Sequence, residues 1–433
     1  MAHRFTRRQF LTRSAACAGA AGAASWFVPS WAQSPNEKLN IAVVGVAGRG
    51  GANLAGVSGE NIVGLCDVDA NNLEQAAKRH AQAKTYTDFR KMLEELQQRI
   101  DAVVVSTPDH THAPAGVMAL KMGKHCYCEK PLTWSVHEAR TMAELASKNK
   151  LVTQMGTQIH AGDNYRRVVE LIQAGAVGPV REVHVWSGAS YSGGATPTET
   201  PPVPESLHWD LWLGPAQQRA YHPAYVPFKW RGWKDFGHGG LGDFYCHYCD
   251  LAFWALKLRH PTTVHAEGPP VAEYPDATPP WLIVRYAFPQ RDDLPPVHLT
   301  WYDGGKRPPL QKELNLPDWG SGVLFVGESG MLLADYGRRM LLPEAKFAGY
   351  QPPEPSIADS IGHHLEWIEA CKTGGPTTCN FNYSGALTEA ALLGKVSYRT
   401  GSRLDWDAAD LRATNCPAAE AWIHRKYREG WTL

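Results

Sequence analysis

The chain lacks net charge: 43 Lys and Arg balance 43 Asp and Glu. That balance removes the basic surplus expected of a nucleic-acid or anionic-membrane binder. A long apolar run is missing too. The one Ala/Gly-rich stretch, Ser14 to Val28, is too short and too weakly apolar to span a bilayer. Cysteine is present without a frame. Cys246-His247-Tyr248-Cys249 and Cys126-Tyr127-Cys128 have no second C-x-x-C or spaced His pair to complete a tetrahedral metal set. Buried free thiols and no metal are the expectation.

What is there begins with punctuation for a nucleotide fold. Leu39-Asn40-Ile41-Ala42-Val43-Val44 is a short β-branched run, as in a strand buried on both faces. Gly45-Val46-Ala47-Gly48-Arg49-Gly50 follows, then a helix-compatible stretch. Asn61 to Cys66 reads as a second strand and ends at Asp67. Glycines let the backbone approach a pyrophosphate at a helix N-terminus, and an acid about 20 residues on binds the ribose hydroxyls. A carboxylate at Asp67 repels a 2′-phosphate, which favours NAD over NADP. Ala47 stands where the pattern has its second glycine, and its methyl crowds the pyrophosphate. Gly48 beside it keeps the turn adaptable.

Strands and helices then alternate as far as Met155, which predicts a doubly wound parallel sheet. Ligands bind such sheets beyond the carboxyl ends of the strands. Asp67, Thr107, Pro108, His112, Glu129, Lys130 and Gln158 fall there on different strands, so the expected cofactor contacts are Gly45, Ala47, Gly48, Arg49, Gly50 and these seven.

The chain resembles the Gfo/Idh/MocA family of sugar and cyclitol oxidoreductases. The motifs that carry the likeness are Gly45–Gly50, Asp67, Ser106-Thr107-Pro108-Asp109-His110-Thr111-His112 and Glu129-Lys130-Pro131. In the second half, Asp243 and His247 stand four apart at the start of a probable helix and share a face. The resemblance implies a cis bond before Pro131, a catalytic set of Lys130, Asp243 and His247 facing the substrate, and a homo-oligomer joined through a free sheet face.

The fold class expected is α/β: a Rossmann domain over residues 38–157, then an α+β domain over 158–433 with a large, mostly antiparallel sheet. The latter rests on period-two alternation in Glu182–Ser187, part of Trp281–Tyr286 and Val297–Tyr302. The 16 Trp and 16 Tyr suit either stacking on sugar faces or lining a buried sheet. The Pro-rich stretch Thr196–Pro204 reads as a loop that flanks the site or runs over the surface.

Residues 1–32 hold Thr6-Arg7-Arg8-Gln9-Phe10-Leu11 and the small residues of Ser30-Trp31-Ala32, the marks of a cleaved twin-arginine signal. Its loss leaves 39 basic against 43 acidic side chains and no membrane span. The expected location is periplasmic or otherwise exported, with the cofactor loaded before export. Lys130 and His247 are candidates to take a hydroxyl proton during hydride transfer, with Asp243 orienting His247 or sharing its proton. Arg231, Lys229, Tyr191, His160 and Tyr383 are weaker substrate contacts. Three activities stay open: an oxidoreductase acting on a ring hydroxyl with its cofactor recycled in place, a glycoside hydrolase working through transient oxidation at C3, and a non-catalytic sugar binder.

Overall fold

The computed structural model describes residues 38–433; the leader lies outside the described residues. The β-branched runs of the first half form six strands: β1 (Asn40–Val44), β2 (Asn61–Cys66), β3 (Lys84–Tyr86), β4 (Ala102–Val105), β5 (His125–Cys128) and β6 (Thr153–Met155). They pair in parallel in the order β3-β2-β1-β4-β5-β6. Every residue of β4 and β5 is buried, as the unbroken apolar runs require. The order reverses between β1 and β4, and the glycine turn leaves β1 at that switch point.

The second sheet has nine strands: β7 (Val180–Trp186), β8 (Thr263–Glu267), β9 (Ile283–Phe288), β10 (Val297–Tyr302), β11 (Gly322–Gly327), β12 (Gly330–Ala334), β13 (Arg339–Leu342), β14 (Leu404–Asp407) and β15 (Arg412–Ala413). Their order is β13-β12-β11-β7-β10-β9-β8-β14-β15. Only β7 and β10 run parallel; the other pairs are antiparallel. Alternation sorts its two faces. Val183, Val185, Leu299, Trp301 and Val284 are fully buried with the helices Gly239–Ala255 and Phe381–Thr400 in one core. Trp186, Tyr302, Leu324 and Leu333 point the other way into a smaller cluster.

The later chain also returns to the first sheet. Trp367, Ile368 and Cys371 of the helix His363–Thr373 join Ile41, Val43, Val104 and Tyr127 in one core. Thr377 Oγ1 and the Phe381 N–H bond Thr153, which covers the β6 edge. The aromatic surplus has a structural destination as well. Trp209, Trp212, Tyr225, Trp230, Trp233 and Phe236 pack into a separate cluster. The Pro-rich loop ends against the first domain, where Leu207 bridges Asp69 beyond β2. All eight cysteines among the described residues are buried free thiols.

Candidate active site

The glycine turn is built by close approach. Gly45 has φ +82°, and a Cβ there would meet the Ser106 carbonyl oxygen at 2.6 Å. A Cβ on Gly50 would meet the Gly45 carbonyl oxygen at 2.1 Å. Gly48, at φ +55°, differs: its missing Cβ would enter open space. It caps the helix Arg49–Gly56, whose first turn has no side-chain cap and no acid. Uncapped N–H groups at a helix start favour an anion. Ala47 and Arg49 are exposed beside it.

Asp67 is fixed by backbone: Oδ2 accepts from the Val46 N–H at 3.0 Å and Oδ1 from the Asp69 N–H at 2.9 Å. Burial pushes its carboxyl above the ordinary range while these N–H groups pull it back. The turn and Asp67 therefore fit a dinucleotide, with the helix start for the pyrophosphate and the remaining carboxylate lone pairs for the ribose hydroxyls. Thr107 and the helix-capping Pro108 are half-buried at the end of β4.

Three expected contacts, His112, Glu129 and Gln158, are occupied within the protein. His112 is buried and bridges two strand ends, its Nδ1 on the Pro131 carbonyl and its Nε2 on the Thr107 carbonyl, both at 2.8 Å. Burial pushes its imidazole down to about 4. Glu129 is also buried. Its Oε1 accepts 2.8 Å bonds from Asn53 Nδ2 and Gln158 Nε2. Gln158 bonds the Tyr127 hydroxyl too, and His364 Nε2 meets Asn53 Oδ1 at 3.0 Å while its ring stacks on Tyr127. This amide network braces the floor beneath the glycine turn. Asn53 and His364 carry no motif, and sequence reasoning passed over them.

Lys130 turns away from its neighbour Glu129. The Lys130–Pro131 peptide is cis. Lys130 Nζ donates to Asp243 Oδ1 at 2.6 Å and to the Asp243 carbonyl oxygen at 2.7 Å. Arg231 Nε reaches the same Oδ1 at 3.1 Å. The two cations hold the Asp243 carboxyl well below the usual carboxylate range, against the effect of burial. Asp243 and His247 do start on one face of the helix Gly239–Ala255. The carboxylate nevertheless turns to Lys130 and Arg231, because two cations outbid one neutral imidazole. Burial first, and the Lys130 charge next, push His247 down to about 3. Its Nδ1 is buried with no partner among the described residues. Its carbonyl accepts from the Tyr165 hydroxyl at 2.9 Å, which fixes that turn of helix.

The weaker candidates divide. Arg231 belongs to the charged cluster, and Tyr191 lies beside it with its phenol pushed up by burial and by the Asp243 charge. Lys229 is exposed. His160 and Tyr383 are held in the interior by Asp250: His160 Nδ1 lies 2.9 Å from both carboxylate oxygens, and the Tyr383 hydroxyl donates to Oδ1 at 2.7 Å. His160, Asp250 and Cys379 could offer ligand atoms to an ion; His160 Nδ1 and Asp250 are engaged with each other, while His160 Nε2 is buried with no partner among the described residues. Asp109, not singled out from the sequence, is buried under the charged cluster, and burial pushes its carboxyl up to about 8.

A dinucleotide turn at the switch point of one domain and a Lys–Asp–His set from both domains define a two-domain NAD-binding protein. The chain belongs to the Gfo/Idh/MocA oxidoreductase family. The family models match residues 39–157, described as the NAD-binding Rossmann fold, and 164–293, described as the C-terminal alpha/beta domain. Over 149 residues it is 34% identical to an inositol 2-dehydrogenase from Rubrobacter xylanophilus, covering 33% of this chain and 42% of that one. Over 173 residues it is 30% identical to a glycosyl hydrolase family 109 protein from Solibacter usitatus, covering 36% and 38%. The chain thus spans less than half the length of these relatives. The WlbA dehydrogenase from Chromobacterium violaceum, solved with NADH and UDP-GlcNAcA, shares the fold at a TM-score of 0.61 and 17% identity, over 87% of this chain and 98% of that one.

Proposed function

We propose that the protein oxidises a secondary ring hydroxyl of a sugar, glycoside or cyclitol with a tightly held NAD. The observation that carries this reading is Lys130 Nζ, gripped twice by Asp243 beside a neutral, half-buried His247. NAD, when bound, supplies the hydride acceptor. Gly48, the start of the helix Arg49–Gly56 and Asp67 would hold it; Thr107 and Pro108 lie near at the end of β4. Lys130 orients the substrate hydroxyl and stabilises negative charge growing on its oxygen. His247 enters as neutral imidazole and accepts the hydroxyl proton at Nε2, since its Nδ1 is closed off from the site. Asp243 and Arg231 keep Lys130 in place and do not themselves reach for the proton.

Lys130→Ala is expected to abolish turnover while nucleotide, measured by mass spectrometry of the denatured protein, stays bound. Normal turnover in that variant would overturn the assignment. Absence of nucleotide that cannot be added back would remove the cofactor reading.

A second reading, a glycoside hydrolase that ends redox-neutral, is favoured by the family 109 relative and by the twin-arginine leader. An exported enzyme has no soluble nicotinamide pool to reoxidise its cofactor, so the cofactor must be restored in place by the same or a second substrate. Release of aglycone from aryl glycosides without added NAD supports the hydrolase. Reduced nicotinamide accumulating with added sugar and NAD supports the dehydrogenase.

A further inference from the structure

The helix Gly239–Ala255 carries two stripes, one residue out of step. Asp243 and His247 form the first. Phe244 and Tyr248, again four apart, form the second. The second stripe extends at both ends into a run of near-parallel rings. Tyr191 lies over Phe244 at 6.2 Å and 13°, Phe244 beside Tyr248 at 6.5 Å and 26°, and Tyr248 against Tyr336 at 4.6 Å and 18°. Tyr336 comes from the turn between β12 and β13, and its ring lies 6.3 Å from His247. The aromatic run therefore starts beside the charged cluster and leads away from it past His247.

That turn is built to stay where it is. Asn164 Nδ2 donates to the Asp335 and Arg338 carbonyls at 2.8 and 3.0 Å, while Asn164 Oδ1 accepts from Arg339 at 2.8 Å. The next residue, Tyr165, packs edge-on against Tyr336 and bonds the His247 carbonyl. Two adjacent side chains thus tie the turn to the helix that carries His247. Tyr336 is nonetheless among the exposed large side chains, 36% accessible. Its open side lines a pocket of about 480 Å³ with Tyr248, Ser321 and Arg338. That size lies within the range of small-molecule sites. Arg338 donates from Nε and Nη2 to Asp335 Oδ2, and its guanidinium also lies 4.0 Å from the Trp319 ring centre. The charge of the wall is therefore cancelled locally, and nothing there selects an anion.

We propose that this pocket is a second sugar subsite: the substrate is a neutral glycoside whose appended pyranose lies on the exposed ring of Tyr336, which Tyr248 backs, while the ring being oxidised faces Lys130 and His247. A pyranose offers an apolar C–H face to an aromatic ring and hydroxyls at its edge, which suits two tyrosines bordered by a serine and a paired arginine. The inference rests on the sugar-oxidising reading for its orientation, and on the ring run and the pocket for its existence.

The test compares free sugars (glucose, galactose, mannose) with their disaccharides (cellobiose, maltose, lactose, mannobiose), using the nucleotide-loaded protein. Reduction of the bound nucleotide is followed by absorbance. The wild type is expected to have a lower KM for at least one disaccharide than for its free sugar. Tyr336→Ala should raise that disaccharide KM about tenfold more than the free-sugar KM, one stacking contact being worth roughly that much. Tyr336→Phe, which keeps the ring, should restore it. Equal effects on both substrates, or no rescue by phenylalanine, would overturn the subsite and leave Tyr336 as a support for His247. If no sugar reduces the nucleotide, the oxidising reading fails on its own, and calorimetric titration with the same disaccharides decides the subsite. Binding weakened by Tyr336→Ala supports it, and no binding to the wild type overturns it.

Discussion

Asp243→Asn isolates the charge balance of the site. In the native cluster one carboxylate faces two cations, Lys130 at 2.6 Å and Arg231 at 3.1 Å, and the three side chains are only 11%, 13% and 19% exposed for Lys130, Asp243 and Arg231. The amide keeps the shape and removes the charge, so two cations face each other with little water. At an effective dielectric of ~20 each lost contact is worth roughly 5 kcal/mol gross, and desolvation cancels a large part of it. A net loss of about 2–4 kcal/mol is expected, read as a fall in Tm of roughly 2–5 °C for a chain of this length. Activity should fall with it, because Lys130 is no longer gripped. The informative partner is the double variant Asp243→Asn/Lys130→Met. It restores the native net charge of the cluster, one positive, and keeps the lysine's bulk. It should regain most of the lost stability while remaining inactive. A single variant as stable as the wild type, or a double variant no more stable than the single, would refute the charge argument. Thermal melts of the three proteins at one pH and salt concentration suffice.

Asp67→Ala removes the ribose acceptor and frees the Val46 and Asp69 N–H groups; NAD retention should fall at least about tenfold, and the preference over NADP should narrow, both measured by nucleotide titration. Gly50→Ala drives a methyl into the Gly45 carbonyl, so a loss of about 1–3 kcal/mol in urea melts and of bound nucleotide is expected, and a variant with neither loss would show that the turn relaxes freely. Acid should unfold the protein steeply. Burial lowers ten histidines, most of all His110, His112, His125, His238, His247 and His363, so the unfolded chain binds their protons first and stability falls as pH drops below about 6.5. Four carboxyls raised by burial, Asp67, Asp109, Glu129 and Asp303, oppose this by taking up protons in the fold. The lowered histidines outnumber these carboxyls, so the folding constant should fall as pH drops from 7 to 5; an unchanged urea midpoint between pH 7 and 5 would refute it.

Local pattern made the two sheets legible. β1 to β6 are short β-branched runs between turn residues, and their ends place Asp67, Thr107, Lys130 and Gln158 without any knowledge of packing. Alternation in β7, β9 and β10 carried the second sheet in the same way. What stayed hidden depends on residues far apart in the chain. The helix His363–Thr373 carries no signal that it closes the first sheet, more than 200 residues after β6. Asn53 and His364 meet 311 positions apart beneath the glycine turn. Helical spacing put Asp243 and His247 on one face, yet only the arrival of Arg231 and Lys130 decides which way the carboxylate turns. Tyr336 sits on a two-strand turn with no motif, and its role follows from Tyr248 and Asn164 alone.

Glu129 and Lys130 show how much of the chemistry is set by which acid answers which base. They are neighbours, and an ion pair between them would have silenced both. Instead Asn53 and Gln158 satisfy Glu129 with neutral amides beneath the glycine turn, and Lys130 is left for Asp243 on the other domain. Arg231 joins it there, so the cluster carries one positive charge more than it cancels. A surplus positive charge stabilises a bound anion at rest, but also an oxygen that becomes negative only as its proton leaves. The walls favour the second. Asp335 neutralises Arg338, and the rings of Tyr191, Phe244, Tyr248 and Tyr336 offer no charge at all. On the proposed function, a neutral polyol therefore gains most from this site at the moment it becomes an alkoxide, which is the condition for lowering a barrier and not merely for binding.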